Sequence, residues 1–190
     1  MEFEQKTVIV TGGASGMGKL SGQRFAEMGA NVVLIDIDKT ALESAADTIR
    51  AAGGKVITAV TDVRSYEQIE AACDAALAAF GSIDILVNCA GGASCRINHV
   101  KEEFKDFPLW ALDWGIDVNL KGPLYFTRAV IGRMIEQRSG VLIYLGSIVG
   151  EEGGGGMSCD YSVAKSGIMY GLTKSMAQYG AKYGIRACCV

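Results

Sequence analysis

Six short apolar runs, each separated from the next by a longer stretch with helical spacing, constrain the fold more than any other feature. The runs are "KTVIVTG", "NVVLID", "KVITAVTD", "IDILVNCAG", "GVLIYLG" and "IRACCV". They are apolar throughout rather than alternating, so both faces of each strand must be covered, which is the pattern of a parallel sheet between helices. Helices are expected over 16–29, closing at Gly29, over 38–52, stopped by Gly53 and Gly54, and over 65–80, with Ser65 as N-cap and Gly81 as stop. Two more are expected from about Asp113 to Gln137 and over about 160–183. The order strand–helix–strand throughout predicts a single α/β domain, 1–190, with a doubly wound parallel sheet.

Composition excludes several function classes. At 190 residues, 49% hydrophobic and 21% charged, the chain can bury a sizeable core. Its net charge is −3 and it has no Lys/Arg-rich run, which argues against nucleic acid as a partner. The longest apolar runs are far too short to span a bilayer, so no membrane partner is expected. "MEFEQK" has acids and no apolar core of a secretion signal, and a cytoplasmic location is expected. The six cysteines fit neither a zinc site nor a disulfide scaffold, and no metal is expected. They read as free thiols; Cys73, Cys188 and Cys189 lie in apolar contexts and are expected to be buried.

"VTGGASGMGKL" follows the first strand and opens the first helix. Gly12, Gly16 and Gly18, with Ser15 and Met17 between them, can make a tight turn that lets backbone approach a pyrophosphate. The helix N-terminus behind the turn supplies free N–H groups. This strand–turn–helix context makes the expected fold Rossmann-type. Asp36 ends the second strand, 24 residues after Gly12, and is followed by Ile37. A carboxylate there accepts hydrogen bonds from the ribose hydroxyls of NAD and repels the 2′-phosphate of NADP, although Lys39 softens that repulsion. NAD is therefore the expected cofactor and NADP the less favoured one. Asp36 read instead as a helix N-cap has a competitor in Asp38, which fills that role at least as well.

A second stretch, "GSIVGEEGGGGMSCDYSVAK", sets Ser147 before the glycines Gly153 to Gly156 and Tyr161 and Lys165 after them. The quartet alone reads as a linker. If one sheet spans the chain, it lies instead between the fifth strand and the next helix, at the carboxyl edge where ligands bind in open α/β sheets.

Taken together these segments resemble the short-chain dehydrogenase/reductase family in its compact form. "TGGASGMG" is similar to its T-G-x(3)-G-x-G, "NCAG" to its N-N-A-G, "DVNLKG" to its active-site helix motif and "YSVAK" to its Y-x(3)-K. "TDV" resembles its adenine-contacting segment, and the motifs fall in family order across residues 7–190. The resemblance implies a catalytic set of Asn119, Ser147, Tyr161 and Lys165. It implies a cofactor set of Gly12, Ser15, Gly16, Met17, Gly18, Asp36, Ile37, Asp62, Val63, Asn88, Ala90 and Gly91, joined by Tyr161 and Lys165. Cys89 stands in the place of the second Asn, and Gly146 where a serine often precedes the catalytic one. Family members continue past the sixth strand through a loop at the nicotinamide, a substrate-covering segment and a last strand. The expectation is of a chain lacking that part.

Tyr161 and Lys165 are four apart and share a helix face. A free tyrosine has a pKa of about 10, roughly three units too high for a base at neutral pH. An ammonium within about 4–6 Å lowers it. Tyr161 can then take the proton of a secondary alcohol as NAD takes the hydride, or give it back to a ketone, while Ser147 holds the oxygen. In the family, the Asn matched by Asn119 kinks its helix and binds a water that links the Lys to solvent.

Residues 91–108 are mildly basic through Arg96, His99, Lys101 and Lys105, offset by Glu102, Glu103 and Asp106. They read as a solvated loop, with an anionic substrate as the alternative. Trp110 and Trp114 read as packing residues, and Cys95 and Cys159 as small loop residues beside the pocket. The helix over 160–183 is apolar on more than one face. In the family it pairs, with the helix around 113–137, against its copy, so a homodimer or homotetramer is expected. Alternatives to an NAD-dependent alcohol dehydrogenase are a 3-oxoacyl thioester reductase, a steroid or sugar-alcohol dehydrogenase, a non-catalytic cofactor-binding regulator or scaffold, and a truncated relic.

Overall fold

The computed structural model describes residues 2–190. Six strands form one sheet: β1 (Thr7–Thr11), β2 (Asn31–Asp36), β3 (Lys55–Val60), β4 (Ile85–Asn88), β5 (Gly140–Tyr144) and β6 (Ile185–Cys189). Every pairing is parallel, and the order is β3-β2-β1-β4-β5-β6. The chain reverses direction across the sheet between β1 and β4, the place where such sheets open a crevice at their carboxyl ends.

The helices are α1 (Gly16–Glu27), α2 (Lys39–Ala51), α3 (Tyr66–Phe80), the single turn α4 (Ser94–Ile97), α5 (Leu109–Ile116), α6 (Gly122–Gln137), the single turn α7 (Val149–Glu152), α8 (Cys159–Ser166) and α9 (Thr173–Ala181). The residues that begin and end them act as their chemistry dictates. Asp38 accepts from the Ala41 N–H at 3.0 Å and Ser65 caps α3, while Gly81 closes α3 at φ +79°. Asp38→Ala is expected to lower stability by about 1 kcal/mol in a denaturant titration, leaving Asp36 in place.

Alternation along each strand divides the core. Val8, Val10, Val32, Leu34, Ile85 and Val87 pack with Leu42, Ala45 and Ile49 of α2 on one face. Ile9, Val33, Ile35, Leu86 and Leu142 pack on the other with Ile69 of α3, Phe126 and Met134 of α6, and Ile168 and Leu172. On the α2 side, Val141 and Ile143 of β5 are only half-buried and Arg186 and Cys188 of β6 are exposed. Cys188 therefore departs from the expected burial: its neighbours along the strand are apolar, but no helix among the described residues covers that corner. Cys73 is buried and Cys189 half-buried.

The long helices expected over 113–137 and 160–183 are each interrupted. Asp117–Lys121 joins α5 to α6 as a π-helical turn, and Gly167–Leu172 joins α8 to α9 in the same way. No helix among the described residues is long and apolar enough to cross a membrane.

Candidate active site

The carboxyl edge of the sheet holds a cleft of about 610 Å³ lined by the loop after β1, the ends of β2, β3 and β4, and the wall formed by α4 and α5. Gly12, Ser15, Gly16, Met17, Gly18, Asp36, Ile37, Asp62, Val63, Ala90 and Gly91 all line it. These eleven are the sequence-derived cofactor residues apart from Asn88, Tyr161 and Lys165.

The glycines permit close approach. Gly12 has φ +66°, and a Cβ on it would lie 2.9 Å from the Ala90 nitrogen, so a side chain would push β1 away from the β4 loop. A Cβ on Gly18 would collide with the Gly12 carbonyl, so the loop closes on α1 only with glycine at that place. Thr11 ties the same two strands, its Oγ1 accepting from the Cys89 and Ala90 N–H groups at 3.1 and 3.0 Å. Ser15, the N-cap of α1, makes no side-chain capping bond and no acid stands in the first turn, so the helix N-terminus faces the cleft with donors to spare.

Asp36 points the opposite charge. Its two oxygens accept from the backbone N–H groups of Ala14 and Asp38, each at 3.1 Å, and among the described residues no cation pairs with it. Carboxylate oxygens have lone pairs to spare for hydroxyl donors. Asp62 is occupied differently: the Arg64 guanidinium grips it at 2.6–3.0 Å and holds its carboxyl below the usual range. An acceptor at the β2 end and an open helix N-terminus across one cleft fit a dinucleotide.

Asn88 is buried beside the cleft rather than on its surface, where its Nδ2 donates to the Ile143 carbonyl at 3.4 Å. Cys89, in the place of an asparagine, lines the cleft; burial pushes its thiol up to about 11, so it stays protonated at neutral pH. Gly146 has a packing reason: a Cβ there would press on Cys189 Sγ and the Met169 side chain at 3.0–3.1 Å.

Asn119 sits in the first π turn, 1% exposed. Its Nδ2 donates to the Gly115 and Gly92 carbonyls at 2.9 and 3.0 Å, and its Oδ1 accepts from the Gly92 N–H at 2.8 Å. Gly115 O is the acceptor a regular helix would give to the Asn119 backbone N–H, so the side chain stands in where the turn widens. The same bonds clamp the β4 loop to the helix.

Ser147 follows β5 in the turn that opens α7, its carbonyl accepting from Gly150 N–H at 2.9 Å. A Cβ on Gly150 would lie 2.9 Å from the backbone of Lys165 and Ser166, so only a bare α7 lies this close to the helix that carries Tyr161 and Lys165. Lys165 is 7% exposed; its Nζ donates to the Leu145 carbonyl at 2.6 Å and lies 5.4 Å from the centre of the Tyr161 ring. Burial pulls its pKa below the ordinary lysine value, opposed by the nearby thiols of Cys189 and Cys89. The ammonium thus faces a carbonyl and a phenol ring, and among the described residues no carboxylate pairs with it.

The glycine quartet lies between α7 and α8 and is exposed. None of its members lines the cleft; Gly156 closes against Phe104, where a Cβ would lie 2.9 Å from that side chain's own Cβ. Thr61, in the segment likened to the family's adenine contact, also lines the cleft; sequence reasoning missed Arg64, Ile97, Val118 and the tryptophan in the cleft wall. Trp114 is half-buried and lines the cleft, whereas Trp110 is 57% exposed and departs from the packing role expected of it. Ala111 and Gly115 take the inward face of α5, and the two tryptophans share another by their i,i+4 spacing. Residues 91–108 are more than a solvated loop: Val100 and Phe107 are buried with Ala111 in a small separate core. Among the described residues no group of three or more His, Cys, Asp or Glu is placed to hold a metal.

A doubly wound parallel sheet, a glycine loop that opens its first helix and a Tyr–Lys pair on a later helix thus come together at one edge of the sheet. The chain belongs to the short chain dehydrogenase family, whose model matches residues 6–190. It is 36% identical over 196 residues to the (2S)-[(R)-hydroxy(phenyl)methyl]succinyl-CoA dehydrogenase subunit BbsD of Thauera aromatica, covering 100% of this chain and 73% of that protein. It is also 36% identical to the 3-oxoacyl-[acyl-carrier-protein] reductase FabG of Thermotoga maritima, over 98% of this chain and 72% of that one. The crystal structure of an NAD+-bound xylitol dehydrogenase superposes with a TM-score of 0.92 at 30% identity, covering 100% of this chain and 70% of that one. The chain thus spans about two thirds to three quarters of the length of such relatives.

Proposed function

We propose that the chain is the nucleotide-binding and catalytic part of an NAD-dependent oxidoreductase that interconverts a secondary alcohol and a ketone. The observation that carries this reading is the buried Lys165 ammonium, 5.4 Å from the Tyr161 ring and without a carboxylate partner. Beside that charge, Tyr161 is the group that takes the alcohol proton or returns it to the carbonyl oxygen. Ser147 donates a hydrogen bond to that oxygen, and Asn119 keeps the helix kinked and the β4 loop in register. A bound nicotinamide supplies the hydride acceptor or donor. The NAD+-bound xylitol dehydrogenase and the acyl-CoA and acyl-carrier relatives support a carbonyl–alcohol couple while differing in substrate. The 3-oxoacyl thioester reading has the FabG similarity in its favour and the Asp36 carboxylate against the NADP it would use.

Leu124 on α6 and Val163 and Tyr170 in the α8–α9 segment are 41–54% exposed, and they support pairing of two copies through these helices.

The test is titration of the chain with NADH and NADPH by nucleotide fluorescence. NADH is expected to bind about tenfold or more tightly, because Asp36 meets a second anion in NADPH. Asp36→Ala is expected to close most of that gap. Equal affinities in the wild type would remove Asp36 as selector, and binding of neither would remove the enzyme reading.

A further inference from the structure

Four charged residues line the cleft, and three are accounted for. Asp62 and Arg64 neutralise one another. Asp36 is tied by two backbone N–H groups and aims its remaining lone pairs outward. Arg96 alone has no hydrogen-bonding or ionic partner for its side chain among the described residues. Two of the three acids of its own segment are engaged elsewhere: Glu102 accepts from the Lys101 N–H and Asp106 pairs with Lys105.

Arg96 is nonetheless carried on an ordered element. It sits in α4, whose next residue, Ile97, presses on Gly92, 3.0 Å from where a Cβ would be. Asn98 Nδ2 closes the turn on the Ser94 carbonyl at 3.2 Å, Ser94 itself is fully buried, and Val100, Phe107 and Ala111 anchor the chain between α4 and α5. The root of the Arg96 side chain is therefore fixed in the lining of the same cleft that the uncapped first turn of α1 faces from the glycine loop. Two electropositive groups from unrelated segments address one space, and neither has an anion.

We infer that Arg96 is a cofactor-binding residue which pairs with the pyrophosphate of the dinucleotide from the side opposite the α1 N-terminus. The backbone donors of the glycine loop hold the diphosphate by geometry; Arg96 adds a full charge that the loop lacks. The inference rests on the cleft being the nucleotide site. It also gives the basic part of residues 91–108 a role separate from substrate choice.

Calorimetric titration with ADP-ribose, NADH and adenosine separates the sources of anion. Arg96→Gln is expected to weaken ADP-ribose and NADH by about tenfold and to flatten their salt dependence, with adenosine unchanged. Arg96→Lys is expected to recover part of the loss, since a point charge remains. Wild-type affinity for ADP-ribose in Arg96→Gln would overturn the inference, and a raised KM for an anionic substrate in that same variant would assign the guanidinium to substrate instead. An equal loss for adenosine would also overturn it, as damage to the cleft. A wild-type chain that binds none of the three would overturn the nucleotide reading itself.

Discussion

Tyr161→Phe is expected to lower kcat by about 10²–10⁴-fold, for any alcohol or ketone the wild type turns over, without changing the NADH titration. The variant keeps the ring, and with it the packing against Lys165 and the start of α8; it removes only the hydroxyl. Tyr161 stands beside the cleft and not in its lining, so cofactor affinity has little reason to move. The hydroxyl is the group to which the proposed reading assigns the proton transfer. A separation of this kind, binding retained and turnover lost, identifies an interaction made in the transition state. A loss of less than tenfold would mean that another group transfers the proton, and the acid–base role of Tyr161 would fall. Ser147→Ala tests the neighbouring donor on the same substrates, with an expected loss of about 10²–10³-fold for one hydrogen bond to the reacting oxygen.

Much of the fold and site was legible because the sequence spells out local rules. Parallel strands buried on both faces must be apolar throughout, which made β1, β2 and β4 readable, and capping residues such as Ser65 and Gly81 act through their immediate neighbours. The glycine loop was readable for the same reason: a strand, a tight turn and a helix follow one another within one segment. What escaped depends on contacts between distant segments. The family resemblance implied a kink at Asn119, and the π turn is there, but nothing near Asn119 in the chain announces that its side chain will take the Gly92 backbone. Trp114 and Arg96 reach the cleft because α4 folds back on Gly92 and α5 turns its small residues inward, and neither event has a periodic signature. Cys188 looks buried from its neighbours along the strand; only the absence of a helix over that corner of the sheet, among the described residues, exposes it. The glycine quartet followed the same local logic: it was expected between the fifth strand and the next helix, and it lies there, exposed, between α7 and α8.

Lys165→Met is expected to abolish most turnover, again by about 10²–10⁴-fold, while changing stability at pH 7 by only about 1 kcal/mol. Two effects oppose each other in the folded state. The variant leaves the Leu145 carbonyl without its donor, which costs stability. It also removes a buried ammonium whose desolvation nothing nearby fully offsets, which restores stability. The second effect depends on pH and the first does not. Burial holds the lysine pKa below 10.5 in the folded chain, so between that depressed value and 10.5 the unfolded chain binds more protons than the folded one. Wild-type stability therefore gains from this group as pH rises through that window, and the cost of the buried charge is fully present below it. The Met variant has no such group. The stability of Lys165→Met relative to wild type is thus expected to fall as pH rises toward 10.5, measured by urea denaturation of both proteins in parallel at several alkaline values. A difference that stays flat would mean that Lys165 titrates alike in both states, and the proposed role of a desolvated Lys165 ammonium beside Tyr161 would lose its physical basis.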